Sequence, residues 1–165
     1  MNAGEMITRG TVWLALICYT ATVVLQTSVS ARAQRAGRIL WAIGCVVFLA
    51  HVAAAFQFYH QWSHLIAAED TRRQTMERVG MNFSAGIYFN YLFAAVWLID
   101  CATLVGSGKL LHEGRRTWRI ILHSFFLSMI FNATVVFGHG WARPTGAILC
   151  TLVVIALLWR ERIPA

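Results

Sequence analysis

Apolar residues in this chain come in long blocks separated by short polar stretches. A helix rises about 1.5 Å per residue and the hydrocarbon layer of a bilayer is about 30 Å thick, so a spanning helix needs about 20 apolar residues. Four blocks meet that length: 11–30, 39–61, 85–105 and 118–137. A fifth, 144–159, opens with Pro144 at a favoured first helical position but would rise only about 24 Å. It is expected to thin the bilayer locally or to pack without tilt.

The connections differ in kind. Residues 62–84 hold Glu69, Asp70, Arg72, Arg73, Glu77 and Arg78, a composition that suits a short amphipathic helix on the membrane surface, stopped by Gly80. Residues 106–117 are expected to be a basic loop, and 138–143 a tight turn. The pattern predicts an all-α, polytopic transmembrane helix bundle of about five spans with one surface helix in the outer loop, forming a single domain over 1–165.

Composition agrees. Of the 165 residues, 58% are hydrophobic and 13% charged, and the mean hydropathy is +0.59. A soluble domain of this size needs more charge to cover its outside, so the expected surroundings are a lipid bilayer. Lys and Arg concentrate on one side of the five spans, at Arg32, Arg35, Arg38, Lys109, Arg115, Arg116, Arg119, Arg160 and Arg162. The other side has Arg9, Arg72, Arg73, Arg78 and Arg143 together with most of the acids. Basic loops stay in the cytoplasm, which predicts an inner-membrane protein with its N-terminus outside and its C-terminus cytoplasmic. The net charge of +7 then faces anionic headgroups and requires no nucleic acid. Ala31 and Ala33 after the first block have the form of a signal-peptide cleavage site, but Glu5 and the length of the block favour a retained span. Cys18, Cys45, Cys101 and Cys150 all fall inside spans without a C-x-x-C pair and are expected to act as small apolar side chains.

Polar groups inside the spans carry what chemistry there is, because hydrocarbon penalises them unless they face protein. Gly86, Asn90, Phe93, Trp97 and Asp100 recur at steps of four, three, four and three residues, one narrow stripe expected to face the other helices. At about 100° per residue, Gln57, His60 and His64 share a face, and His51 points nearly opposite with Gly44 and Phe48. Ser128, Asn132 and His139 share another face, away from His123.

Depth then suggests partners. Asp100 and His123 both lie about 7.5 Å inside the cytoplasmic boundary, so a hydrogen bond between them is expected, tying two helices or relaying protons. Near the outer boundary His60 and His139 reach one level, with His64 a turn further and Gln57, Asn90 and Asn132 below, as the lining of an outward-opening pocket. His60 and His64 at i, i+4, with His139 and Glu69 or Asp70, would suit a transition metal. His60 and His139 would suit the axial positions of a haem b. A quinone or other lipid-soluble ligand is the third option, and an interfacial aromatic belt explains the neighbouring Tyr59, Trp62 and Trp141.

HVAAAFQFYHQWSHLIA over 51–67 and GIYFNYLFAAVWLID over 86–100 resemble segments of small bacterial multi-pass membrane proteins. That resemblance implies a membrane protein and brings no activity or cofactor with it. Two functions are expected from different classes. One is a non-enzymatic accessory or structural subunit working beside other membrane subunits. The other is a small redox or metal protein using the outer histidines.

Overall fold

The structure, a computed structural model, describes residues 2–162. Its regular elements are all helical among those residues. The first helix, α1 (Ala3–Leu25), starts well before the uncharged block because Asn2 caps it: the Asn2 side chain accepts the Glu5 N–H at 2.8 Å, and Glu5 pairs with Arg9 at 2.9 Å. A turn held by Gln34, whose amide donates to the Gln26 and Ser28 carbonyls at 3.2 and 2.6 Å, leads into α2 (Ala31–Ala55). Ala31 and Ala33 therefore lie in the first turn of a helix.

α2 continues into a π-helical segment, Phe56–His60. The surface helix α3 (His64–Val79) follows, capped by Ser63 and ended by Gly80 at φ 72°, a left-handed conformation that suits glycine. Next come α4 (Gly86–Ser107) and a one-turn helix α5 (Leu111–Gly114) inside the expected loop. α6 (Arg116–Phe131) runs into a second π segment, Asn132–Val136, and α7 (Ala142–Arg160) closes the described chain.

Five of these helices are long and apolar enough to cross a membrane. The fifth has 19 residues, because Ala142, Arg143 and Arg160 extend the apolar block, and at about 28 Å it is nearly a full span. Val46, Leu98, Ile121 and Ile155 point away from the bundle, an arrangement suited to acyl chains. This is a multi-pass membrane protein.

The core lies where α1, α2, α4 and α6 meet and is aromatic: Tyr19, Trp41, Phe93, Trp97 and Phe126 are almost fully buried. A Cβ at Gly44 would fall 2.9 Å from Trp97 Cζ2 and 3.1 Å from Cys18 Cβ, so glycine is what lets α2 lie close against α1 and α4 at once. All four cysteines are free thiols. The bundle has a basic end, where Arg32–Arg38, α5 and Arg160 gather, and an opposite end, which carries α3 and both π segments.

Candidate functional site

Two membrane helices leave α geometry, and both do so at the opposite end. In the second π segment the Phe137 N–H reaches back to the Asn132 carbonyl at 2.9 Å. The causes are local. Asn132 Nδ2 donates to the Ser128 carbonyl and Thr134 Oγ1 to that of Ile130, each at 2.8 Å, and such side-chain bonds compete with the helical ladder. After the first π segment, Gln61 at φ 50° and Trp62 at φ 58° are both left-handed without being glycine, worth about 1–3 kcal/mol of strain each. The indole of Trp62 donates to Gln57 Oε1 at 2.9 Å and helps hold that turn. Single π turns and strained residues concentrate at functional sites.

A cavity of about 260 Å³ lies beside these segments, walled by Phe48, Phe56, Phe93 and Trp97 and carrying His51, His60, Asn90 and Tyr91. His51 Nδ1 donates to the Thr8 carbonyl at 2.9 Å. His60 Nδ1 sits 3.2 Å from Asp70 Oδ2 without hydrogen-bond alignment, so it is an ion-pair approach only. A second, larger crevice of about 600 Å³ runs under α3 between α4 and α6; it is lined by Thr71, Gln74, Ser128 and Asn132 among others. The two spaces share Asn90, Met129 and Ala133 as wall residues.

The basic half is sealed instead. Asp100 is 1% exposed and His112, from α5, is fully buried. The His112 backbone N–H donates to Asp100 Oδ1 at 3.0 Å and its Nδ1 lies 2.7 Å from Oδ2. On the far side of the ring, Gln26 Nε2 is 3.2 Å from His112 Nε2, and Gln26 Oε1 accepts Arg160 Nη1 at 2.6 Å. Arg38 grips both oxygens of Glu113 at 3.1 and 3.0 Å, which pins α5 to α2. At the rim, Arg119 and then Arg116 hold the Glu161 carboxyl below the usual carboxylate range, each at 2.6 Å. Between this cluster and the cavity stands a layer of rings, with Trp97 5.3 Å from Trp41 and 5.2 Å from Phe126, centroid to centroid.

No protein family, curated protein or solved structure matches this chain.

The residues expected from sequence fall in several places. Asn90 lines both spaces, Asn132 the crevice, and His60 the cavity. Gln57 is exposed, bonded to Trp62, and lines neither. His64 is outside both spaces, with Nδ1 2.9 Å from the Tyr91 hydroxyl and Nε2 3.5 Å from that of Tyr88. Both of its nitrogens thus face tyrosine hydroxyls. His139 is exposed and lines neither space, so it does not face His60 across a common cavity as a haem ligand would. Among the described residues no three His, Cys, Asp or Glu side chains converge as a metal site.

The expected Asp100–His123 bond is replaced. Asp100 is taken by His112, while His123 Nδ1 meets the Tyr19 hydroxyl at 3.1 Å and its buried Nε2 has no partner. The rings of His112 and His123 are nevertheless neighbours, 5.1 Å apart. His51, Tyr91, His112 and Gln26 were not anticipated as site residues. For His51 the signal was present: it shares a face with Gly44 and Phe48, and that face turned out to look into the bundle.

Proposed function

We propose that this chain is a non-enzymatic accessory protein of the cell (inner) membrane, with the N-terminus outside and the C-terminus cytoplasmic, that holds a lipid-soluble molecule in the outer half of its bundle. The cavity of about 260 Å³ carries this reading: aromatic and aliphatic walls with a few polar groups among them are the usual make-up of a small-molecule site. The π segments beside it and the two left-handed residues after the first support it. The orientation rests on the basic residues gathered at the other end. The redox or metal alternative has no comparable support, because His60, His64 and His139 do not share a cavity.

The test is solvent extraction of protein purified in mild detergent, followed by mass spectrometry. Wild type should yield a lipid-soluble compound at near one mole per mole, and Ala94→Trp, which fills the cavity from α4, should yield none. Indistinguishable extracts from the two folded proteins would overturn the proposal.

A further inference from the structure

The tautomer of His51 restricts what the cavity can receive. Its Nδ1 faces the Thr8 carbonyl, which only accepts, so Nδ1 carries the proton. In the neutral ring Nε2 then bears the lone pair, and it has no hydrogen-bond partner among the described residues. Thr8 does not line the cavity, whereas His51 does. His60 also lines the cavity, with Nδ1 3.2 Å from Asp70 Oδ2 but not aligned for a hydrogen bond, so no such bond fixes its tautomer. The cavity therefore presents an imidazole acceptor at His51 and has no Lys or Arg in its lining.

An acceptor set against apolar walls selects a ligand that donates. Phe48, Phe56, Phe93 and Trp97 supply ring faces and edges, which favour an aromatic body over a flexible chain. The adjoining crevice, larger and open between α4 and α6 under α3, offers a course for an apolar tail past Asn90 and Met129. We propose, building on the ligand-binding reading above, that the occupant is a lipid-soluble phenol: a compact aromatic ring whose hydroxyl donates to His51 Nε2, with its tail in the crevice.

A matched pair of probes tests this, 4-octylphenol and its methyl ether, which keeps the body and loses the donor. Each is titrated calorimetrically onto the full chain in lipid nanodiscs, with empty nanodiscs as the blank. The phenol should bind roughly tenfold or more tightly than the ether, since the ether leaves a buried acceptor unsatisfied. His51→Phe keeps a ring in place and should lower phenol affinity to that of the ether. His51→Asn is the second variant: its amide N–H can keep the tie to Thr8 while the Nε2 acceptor is gone, and it too should erase the preference. Equal binding of both probes to wild type, or a preference that survives His51→Asn, overturns the phenol proposal and leaves the cavity reading standing. Absence of saturable binding by either probe overturns both.

Discussion

Asp100→Asn should destabilise the bundle by an amount that depends on a residue it does not touch, Arg160. The hydrogen bonds of the sealed half run in one direction. Arg160 can only donate, so Gln26 Oε1 accepts and Gln26 Nε2 must donate. His112 Nε2 therefore accepts, its Nδ1 carries the proton, and both Asp100 oxygens accept, one from Nδ1 and one from the His112 backbone N–H. Asp100→Asn keeps the volume, so it opens no cavity, but it places an N–H against one of two N–H donors. Rotating the new amide only moves the conflict from the ring to the backbone. Changing the His112 tautomer passes it to Gln26, and turning Gln26 passes it to Arg160.

One unsatisfied buried donor is worth about 1–3 kcal/mol in water-soluble proteins, and polar pairs in membranes run nearer 0.6–1.7. At roughly 2–4 °C per kcal/mol for a chain of this length, Tm in detergent should fall by roughly 1–7 °C. The decisive arm is the double mutant. Arg160→Met removes the donor that fixes the direction, so Gln26 can turn and His112 change tautomer until His112 Nδ1 accepts the new amide N–H, with no unpaired group added beyond the one Arg160→Met already leaves on Gln26. In that background Asp100→Asn should lower Tm by less than half as much. Strictly additive effects would refute the directional chain, because additivity is what independent sites show.

Glu161, held low by Arg119 and Arg116, stabilises the fold above its unfolded pKa of about 4.3, and that contribution is lost as pH falls through the folded value. Glu161→Gln should flatten the acid limb of unfolding free energy against pH, by less than about 1 kcal/mol, and an unchanged limb would show that the contact does not contribute to stability. Gly86→Val places its side chain on Thr71 Cγ2, 2.9 Å from the Cβ position, and should loosen α3 from α4, read as faster tryptic cleavage at Arg72 and Arg73. On the proposed orientation, alkaline phosphatase fused after Arg162 should be inactive and a fluorescent protein there bright; the reverse pattern would invert the topology.

Much of the architecture was legible because crossing a membrane is a rule about composition and length: four blocks satisfy it outright, and 144–159 does once Ala142, Arg143 and Arg160 lengthen its helix. The surface helix and its stop at Gly80 followed from chemistry equally local. The site was harder, for two physical reasons. A wheel at 100° per residue sets His51 and His60 about 180° apart, but a π turn adds one residue. His60 then takes the angular place of its predecessor, about 80° from His51, and both line one cavity. Depth arithmetic paired Asp100 with His123 on the premise that 106–117 stays outside the bundle. Leu110 is 1% exposed and draws the loop inward, and α5 then delivers His112 to Asp100 through two hydrogen bonds. Two adjacent leucines before a histidine, in an otherwise basic loop, were the only trace of this in the sequence.

The contrast between the two halves bears on how a ligand would enter. Tyr19, Trp41, Trp97 and Phe126 close the bundle beneath the cavity, and the hydrogen-bonded cluster from Asp100 to Arg160 closes it again at the basic end. A molecule passing through would have to break both layers, at the expense of several buried polar contacts. Sideways entry asks for much less, because the crevice under α3 is already open between α4 and α6 and shares its wall with the cavity. What stands over that route is α3, docked on α4 through Thr71 against Gly86 and through Tyr88 and Tyr91 around His64. Loosening this contact should therefore speed exchange of a bound molecule without changing the cavity itself. His64→Phe tests that consequence, since it removes both tyrosine hydrogen bonds at a residue that lines neither space, while the Tyr91 ring stays in the cavity wall. Release of 4-octylphenol into acceptor vesicles should quicken severalfold, with equilibrium affinity nearly unchanged. An unchanged release rate would mean that the molecule leaves by another path.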